Sequence, residues 1–334
     1  MEKPKAALKR AIPLFAALTT LIVLAVLLYI FSRTSLKAAR LGVTMTRNAY
    51  SGIMARTIPA LAGMGLSAAL IAVLSLAFQT ITESRVLTPS MIGFDSVFIA
   101  TQTMLVFVFG ASNPWFANAT LNYLLTTGVM VAVSVGMYGI MLRKNKNNIV
   151  FLLLFGLILS GIVRSGVNYI EVLMDPDEFQ QVRSATSVTV NNMNTAIMFI
   201  TAPLMILLTA LMFGRRRIYD VMSLGEANAV NLGIPYRAEL HFNLLLIAAG
   251  MSVVTAMIGS LTFLGLLAVN ISREMFKTHR HGILFIGSAL TACLILIAGQ
   301  ALVEVLEYAV PVTVIIDLGG CSYMFYLILR ENRV

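Results

Sequence analysis

Charged residues are scarce in this sequence. Asp, Glu, Lys and Arg make up 12% of its 334 residues, whereas 58% are hydrophobic. Soluble domains carry roughly a quarter charged residues. The mean hydropathy is +0.87. So few charges cannot cover the surface of a soluble protein of this size, so the composition excludes an ordinary soluble enzyme and indicates an integral membrane protein.

Residues that bind metals or nucleotides are also few. Cys293 and Cys321 both lie in apolar runs, which is typical of packed side chains rather than of a disulfide or a metal site. The three histidines lack partners at metal-ligand spacing. No glycine-rich loop ends in Gly-Lys-Ser or Gly-Lys-Thr, so we do not expect this chain to hydrolyse ATP. We predict that it binds no metal and no cofactor.

Acidic residues are fewer than basic ones, and the net charge is +9. The basic residues concentrate at the edges of apolar runs instead of forming a continuous face. This placement is typical of membrane topology and excludes a nucleic-acid partner. An N-terminus inside the cell puts most lysines and arginines on the cytoplasmic side, and an even number of spans would put both termini there.

Long apolar runs dominate the chain, and each is about the 20 residues that a helix needs to cross a bilayer. The predicted spans are residues 12–31, 58–78, 93–110, 122–142, 149–170, 193–213, 238–257, 260–272, 281–303 and 310–329. We therefore predict an all-α integral membrane protein of about ten transmembrane helices, of which the third and eighth are the shortest. No soluble domain is indicated, so we expect residues 1–334 to form a single transmembrane domain.

One polar stretch, MSLGEANAVNLGIPYR at 222–237, interrupts this pattern on the predicted cytoplasmic side. Ser223 and Glu226 have the spacing of a capping box. Gly233 can take the left-handed conformation that ends a helix, and Pro235 lies two residues further on, where the helix cannot continue. The stretch thus predicts a helix over 224–232, roughly 13 Å long. A helix this short is marginal alone, so it rests either on the protein's own inner surface or on a partner.

The stretch also contains the pattern Gly-Glu-x-Ala-x-x-Leu-Gly, with one residue of spacing slack, at Gly225, Glu226, Ala229, Leu232 and Gly233. Further motifs are Gln79, the LTPSMIG that ends at Gly93, GSLTFLGLLAVNISR at 259–273, His279-Arg280, Pro311-Val312 and Gly320. Together they resemble the FecCD-type permeases of iron–siderophore importers, a family that includes the vitamin B12 importer and uses ATP-binding cassette (ABC) ATPases. The resemblance covers nearly the whole chain.

The resemblance implies how the chain works. In that family the short cytoplasmic helix docks into a groove on a separate ATPase, so the coupling residues would be Ser223, Gly225, Glu226, Ala229, Leu232 and Gly233. The implied partners are an ATP-binding cassette ATPase dimer, a second related permease or a second copy of this chain, membrane lipid, and a substrate-binding lipoprotein or periplasmic protein. The implied location is the bacterial cytoplasmic membrane.

Departures from the family's pattern concern the substrate. Val269-Asn270 replaces Pro-His, Ser84-Arg85 replaces Asn-Pro, and Thr88 replaces Asp. The variant segment 78–96, together with DPDEF at 175–179, resembles the second permease of two-permease importers, many of which carry catecholate siderophores. The resemblance therefore implies import of a ferric siderophore, with heme or vitamin B12 as alternatives.

The basic segment 32–57 has two interpretations. Its cations meet lipid headgroups, or they dock the binding protein as outer arginines do in the resembled family. Arg56 is the closest match to such an arginine, and Arg47 is the second candidate.

Two charges lie inside predicted spans. Arg164 and Asp317 would each lie roughly 9–10 Å below the outer surface. An isolated charge at that depth is costly, so each either reaches water independently or borders the substrate path. In the second case the two are paired directly or with groups of a partner, and Gln79 joins them on the path.

Two other functional classes remain open. An ion-driven secondary transporter would need buried coupling carboxylates and no docking helix. An intramembrane enzyme would need paired catalytic groups at one depth, for which Asp95, Arg164 and Asp317 are the candidates. We expect a transport subunit and no enzyme activity.

Overall fold

The computed structural model describes residues 4–36, 47–144, 149–188, 195–307 and 310–331. Within these ranges the secondary structure is helical, without strands, which confirms the all-α prediction. The helices are α1 (Pro4–Phe31), α2 (Arg47–Ile81), α3 (Phe94–Phe109), α4 (Pro114–Ala117), α5 (Ala119–Lys144), α6 (Ile149–Leu173), α7 (Pro176–Thr186), α8 (Thr195–Gly214), α9 (Arg216–Met222), α10 (Glu226–Asn231), α11 (Tyr236–Ile258), α12 (Leu264–Phe276), α13 (His281–Val305) and α14 (Val312–Glu331).

Seven helices in the described ranges are long and apolar enough to cross a membrane: α1, α2, α5, α6, α8, α11 and α13. The chain is therefore a multi-pass membrane protein. Helices α3 and α14 are apolar but shorter, and α12 has 13 residues. The count of about ten spans remains a prediction.

Helix α2 forms the centre of the bundle. In its apolar window 72% of the residues are buried, against 17% in α1 and 11% in α6. Neighbouring helices approach α2 closely because they present glycines to it. A Cβ on Gly250 of α11 would lie 2.6 Å from Leu74, and one on Gly265 of α12 would lie 2.0 Å from Ser75. Small residues permit this close packing between membrane helices.

The two short helices α3 and α12 begin next to each other. Thr262, just before α12, donates a hydrogen bond of 2.7 Å to Asp95 in the first turn of α3. The preceding segments also meet, since the Thr88 hydroxyl lies 3.5 Å from the Thr262 carbonyl. Irregular backbone at membrane depth is tolerated where protein buries it. This arrangement explains why these two predicted spans are short.

The helix predicted from about residue 224 to 232 is present but shorter, since α10 covers Glu226–Asn231 with caps at Gly225 and Leu232. The capping box is wrong. The Ser223 hydroxyl donates to the Asp220 carbonyl (2.8 Å) in the last turn of α9. Gly225 occupies the N-cap with φ 89°, a conformation that favours glycine. The predicted left-handed turn at Gly233 is confirmed, with φ 84°.

Candidate functional site

A cavity of about 980 Å³ opens among the last turns of α2 and α12, the start of α13 and the turn before α10. On the predicted topology it lies at the cytoplasmic side. Its volume is at the upper end of the range for small-molecule sites. The cavity also reaches Ser223 and Gly225, so it adjoins the segment expected to contact an ATPase.

Gln79 lies in the cavity wall, near the end of α2. Its side chain is 2% exposed. Within the described part of the chain, neither its amide nitrogen nor its amide oxygen has a hydrogen-bond partner. A buried polar group without a partner costs about 1–3 kcal/mol. The amide of Gln79 is therefore a buried donor and acceptor without a described partner in the cavity wall, and its place on the substrate path stays a prediction.

Lysine and arginine side chains outnumber acidic ones in the cavity wall. Arg85 and Arg273 are close enough to repel each other electrostatically, and Lys277 also lines the wall. The buried Nε of Arg273 has no partner among the described residues. Two acids, Glu83 and Glu274, are present in the same wall. Like charges held together are favoured by an anion between them, so the arginine side of the cavity fits an anionic ligand.

Asn270 positions Arg85. Its side-chain nitrogen donates to the Arg85 carbonyl (2.9 Å) and to the Leu266 carbonyl (3.0 Å), which ties the turn after α2 to α12. Both Arg85 and Asn270 are positions where the sequence departs from the resembled family, and the structure brings the two departures into contact. The sequence shows that both residues depart from the family's pattern. It does not show that they belong to one site, because they come together only in the folded protein.

Helix α10 is anchored by one residue and exposes the rest. Ala229 is fully buried, and its backbone N–H donates to the Gly225 carbonyl (3.0 Å). Leu224, Val230 and Leu232 are more than half exposed. The helix therefore rests on the protein's own surface through Ala229, while a small apolar surface faces outward. An exposed apolar surface of this kind fits a protein partner.

The direct pair between Arg164 and Asp317 is not present among the described residues. Arg164 is exposed on α6 and interacts electrostatically with Asp95. Asp317 on α14 is half-buried, accepts a hydrogen bond from the backbone of Phe263, and experiences the like charge of Asp95. The three charges thus form one cluster in which Asp95 interacts electrostatically with both of the others. The predicted pairing of Arg164 with Asp317 did not include Asp95, with which both residues interact.

The predicted loop 32–57 is partly helical, because α2 already begins at Arg47, whose side chain lies outside the described residues. Arg56 is exposed. It lies roughly 37 Å along the helix from Ile81, which exceeds the thickness of the hydrocarbon core. If the inner end of α2 lies at the cytoplasmic side, Arg56 is at the outer surface.

Arg56→Glu is expected to slow association of the substrate-binding protein several-fold at low salt, because it would place like charges at the docking surface. The difference should shrink at 1 M salt, where the screening length is about 3 Å. Association rates measured on the permease complex in nanodiscs test this. Arg183→Glu on α7, which the predicted topology places at the outer side, is the matched charge reversal. Unchanged rates for Arg56→Glu at low salt would favour the lipid-headgroup interpretation.

Comparison with known proteins shows a family match over most of the chain. The sequence model of the FecCD transport family matches residues 18–330. The petrobactin import system permease protein YclO of Bacillus subtilis (strain 168) is 37% identical over 279 residues, covering 83% of this chain and 89% of that protein. The petrobactin import system permease protein FatC of Bacillus anthracis is 31% identical over 283 residues, covering 84% and 80%.

The fold has a counterpart among solved structures. A chain described as a metal-chelate type ABC transporter in an inward-facing conformation superposes with a TM-score of 0.77. The superposition covers 95% of this chain and 99% of that one, at 17% sequence identity. At this identity the likeness concerns the fold alone.

Proposed function

The chain belongs to the FecCD transport family, and we propose that it is the permease subunit of an ATP-binding cassette importer that moves a ferric siderophore into the cell. The family is one of membrane transport subunits, so the chain works by binding and gating rather than by covalent chemistry. Heme and vitamin B12 remain the alternative cargoes within this family.

The proposed cargo is a siderophore of the petrobactin type. The two relatives above 30% identity are both named petrobactin import permeases. Relatives named for ferric hydroxamate or ferric dicitrate import are 23% and 28% identical. Another permease named for petrobactin import, FatD of Bacillus anthracis, is 24% identical, so the proposed cargo rests on the two relatives above 30% identity.

The cytoplasmic cavity carries the proposal. A ferric catecholate complex is an anion, because the negative catecholate oxygens outnumber the charges of the trivalent iron. Arg85 and Arg273 supply cations on one side of the cavity, and Gln79 supplies an unpartnered donor and acceptor. We place the inner end of the substrate path here. The acids Glu83 and Glu274 in the same wall would limit how tightly an anion is held, which suits release.

Partners complete the mechanism. ATP would bind to a separate ATPase dimer, whose closure acts on α10, and this chain would bind no cofactor. A binding protein would deliver the chelate at the outer surface. A second related permease, or a second copy of this chain, would cover the faces of α6 and α14. Those helices expose Ile162 (65%) and Leu318 (71%) beside the charges of Arg164 and Asp317, and a shared path between two permeases would hydrate such charges. Both termini would be cytoplasmic.

Uptake of radioactive iron tests the proposal. Cells that lack this chain should fail to import iron from ferric petrobactin and regain import when the gene is restored. Ferric hydroxamate, ferric dicitrate and heme serve as competing iron sources, and vitamin B12 is followed by its own label. Restored uptake of another cargo with none of petrobactin would contradict the cargo. Uptake that persists when the ATPase cannot hydrolyse ATP would favour an ion-driven transporter.

A further inference from the structure

A buried histidine joins three elements beside the cavity. His281 is the first residue of α13 and is 3% exposed. Its Nδ1 lies 2.8 Å from the Asp220 carboxylate on α9, and its backbone N–H donates to the same oxygen at 2.7 Å. Its Nε2 lies 2.8 Å from the Thr80 hydroxyl on α2. Both ring nitrogens are therefore engaged, which holds the ring in one orientation.

Asp220, at one end of these hydrogen bonds, lies in the segment α9–α10, which contains the expected ATPase contact. Asp220 lies three residues before Ser223, whose hydroxyl bonds back to the Asp220 carbonyl. Burial acts to raise the pKa of Asp220, but the hydrogen bonds and charge of His281 outweigh it and lower that pKa. The carboxylate is thus held in its charged form at the start of α13, where the helix dipole also favours it.

Thr80, at the other end of these hydrogen bonds, lies in the cavity wall. Thr80 follows Gln79 directly in α2, and its hydroxyl oxygen also lies 2.8 Å from the Leu76 carbonyl, so one hydroxyl hydrogen has two acceptors within reach, this carbonyl and the His281 imidazole. Thr80, Gln79 and His281 all line the cavity. A continuous set of hydrogen bonds therefore runs from α9 through the imidazole to the residue beside the unpartnered amide of Gln79.

We propose that His281 is a positioning residue that transmits movement of the segment α9–α10 to the cavity wall at Thr80 and Gln79. The inference rests on the proposed function, because it assumes that an ATPase moves α10. A shift of α9 changes the position of Asp220, and the two hydrogen bonds to its carboxylate carry that shift to the first turn of α13. The imidazole passes it on to α2. We refer to Thr80, His281 and Asp220 together as the His281 link.

The test uses the complete importer in nanodiscs and does not depend on the cargo. Ser84→Cys places a reporter in the cavity, in a background where Cys293→Ser and Cys321→Ser remove the native thiols. Labelling of the reporter by a soluble maleimide is measured with and without ATP, together with ATP hydrolysis. In the importer that carries only the reporter substitutions, a change in labelling on addition of ATP would show that ATPase movement reaches the cavity. Equal labelling with and without ATP would contradict both the link and the proposed coupling.

Asp220→Ala removes the acceptor of both hydrogen bonds, and Thr80→Val removes the hydroxyl at nearly the same shape. Each is expected to reduce the ATP-dependent change in labelling about five- to tenfold, the value of one or two hydrogen bonds. ATP hydrolysis and ATPase recovery should persist. Asp220→Asn and Thr80→Ser keep an acceptor and a hydroxyl, and should restore most of the change. Loss of the ATPase on purification of Asp220→Ala would contradict the proposal and assign the link to folding.

Variants of the histidine separate the two halves of the link. The amide nitrogen of Asn can replace Nδ1, so His281→Asn keeps only the contact with Asp220. The amide nitrogen of Gln can replace Nε2, so His281→Gln keeps only the contact with Thr80. Both should reduce the ATP-dependent change, because transmission needs both contacts. A full response in either variant would overturn the proposal. Uptake of ferric petrobactin by the importer without substitutions tests the cargo independently of the His281 link.

Discussion

Replacing Ala229 with proline is expected to release the ATPase from the purified permease without removing the permease from the membrane. Proline lacks the N–H that Ala229 donates to the Gly225 carbonyl, and its ring would clash in the middle of a six-residue helix. Interior proline costs about 3 kcal/mol, which corresponds to roughly a hundredfold weaker association if α10 forms the contact. Co-purification of the ATPase measures this loss.

Ala229→Gly is the control for this variant. It keeps the N–H and removes only a methyl group, so most of the ATPase should be recovered. Membrane yield of the permease should be the same for both variants, because α10 contributes little to the buried core. Normal ATPase recovery with Ala229→Pro would show that α10 is a connector on the protein's own surface and not the contact.

Neutralising either charge of the cluster on α6 and α14 is expected to reduce iron import about tenfold or more while leaving ATPase docking intact. Arg164→Gln leaves Asp95 and Asp317 to repel each other without a neighbouring cation. Asp317→Asn removes the charge next to the first turn of α12. A change of 1.4 kcal/mol in either interaction is sufficient for the tenfold effect. Import of radioactive iron and co-purification of the ATPase are the two measurements.

The combined charge swap, Arg164→Asp with Asp317→Arg, separates a shared cluster from a direct pair. A direct pair predicts that the swap recovers more import than either reversal alone. Since each of the two charges interacts with Asp95, we expect no recovery. Arg183→Gln on the outer helix α7 controls for loss of a positive charge elsewhere. Normal import by both single neutral variants would exclude the cluster from the substrate path.

The sequence alone determined that the protein is helical and membrane-embedded. Apolar runs of about 20 residues can satisfy their backbone in lipid only as helices or closed barrels, and their length favours helices. Local chemistry also placed a short helix near residue 229 and its left-handed end at Gly233. The predicted capping box at Ser223 is wrong, because the spacing of Ser223 and Glu226 does not show whether the serine begins one helix or ends the helix before it.

The tertiary structure decided which residues share a site. Gln79 stood out in the sequence, but only packing shows that its amide is buried at a cavity wall. Asn270 meets Arg85 across 185 positions, and His281 meets Thr80 across 201. Asp95 interacts electrostatically with both Arg164 and Asp317. Local sequence patterns report contacts within a few turns, whereas these contacts depend on how α2, α12 and α13 pack, which is set by the shapes of many side chains together.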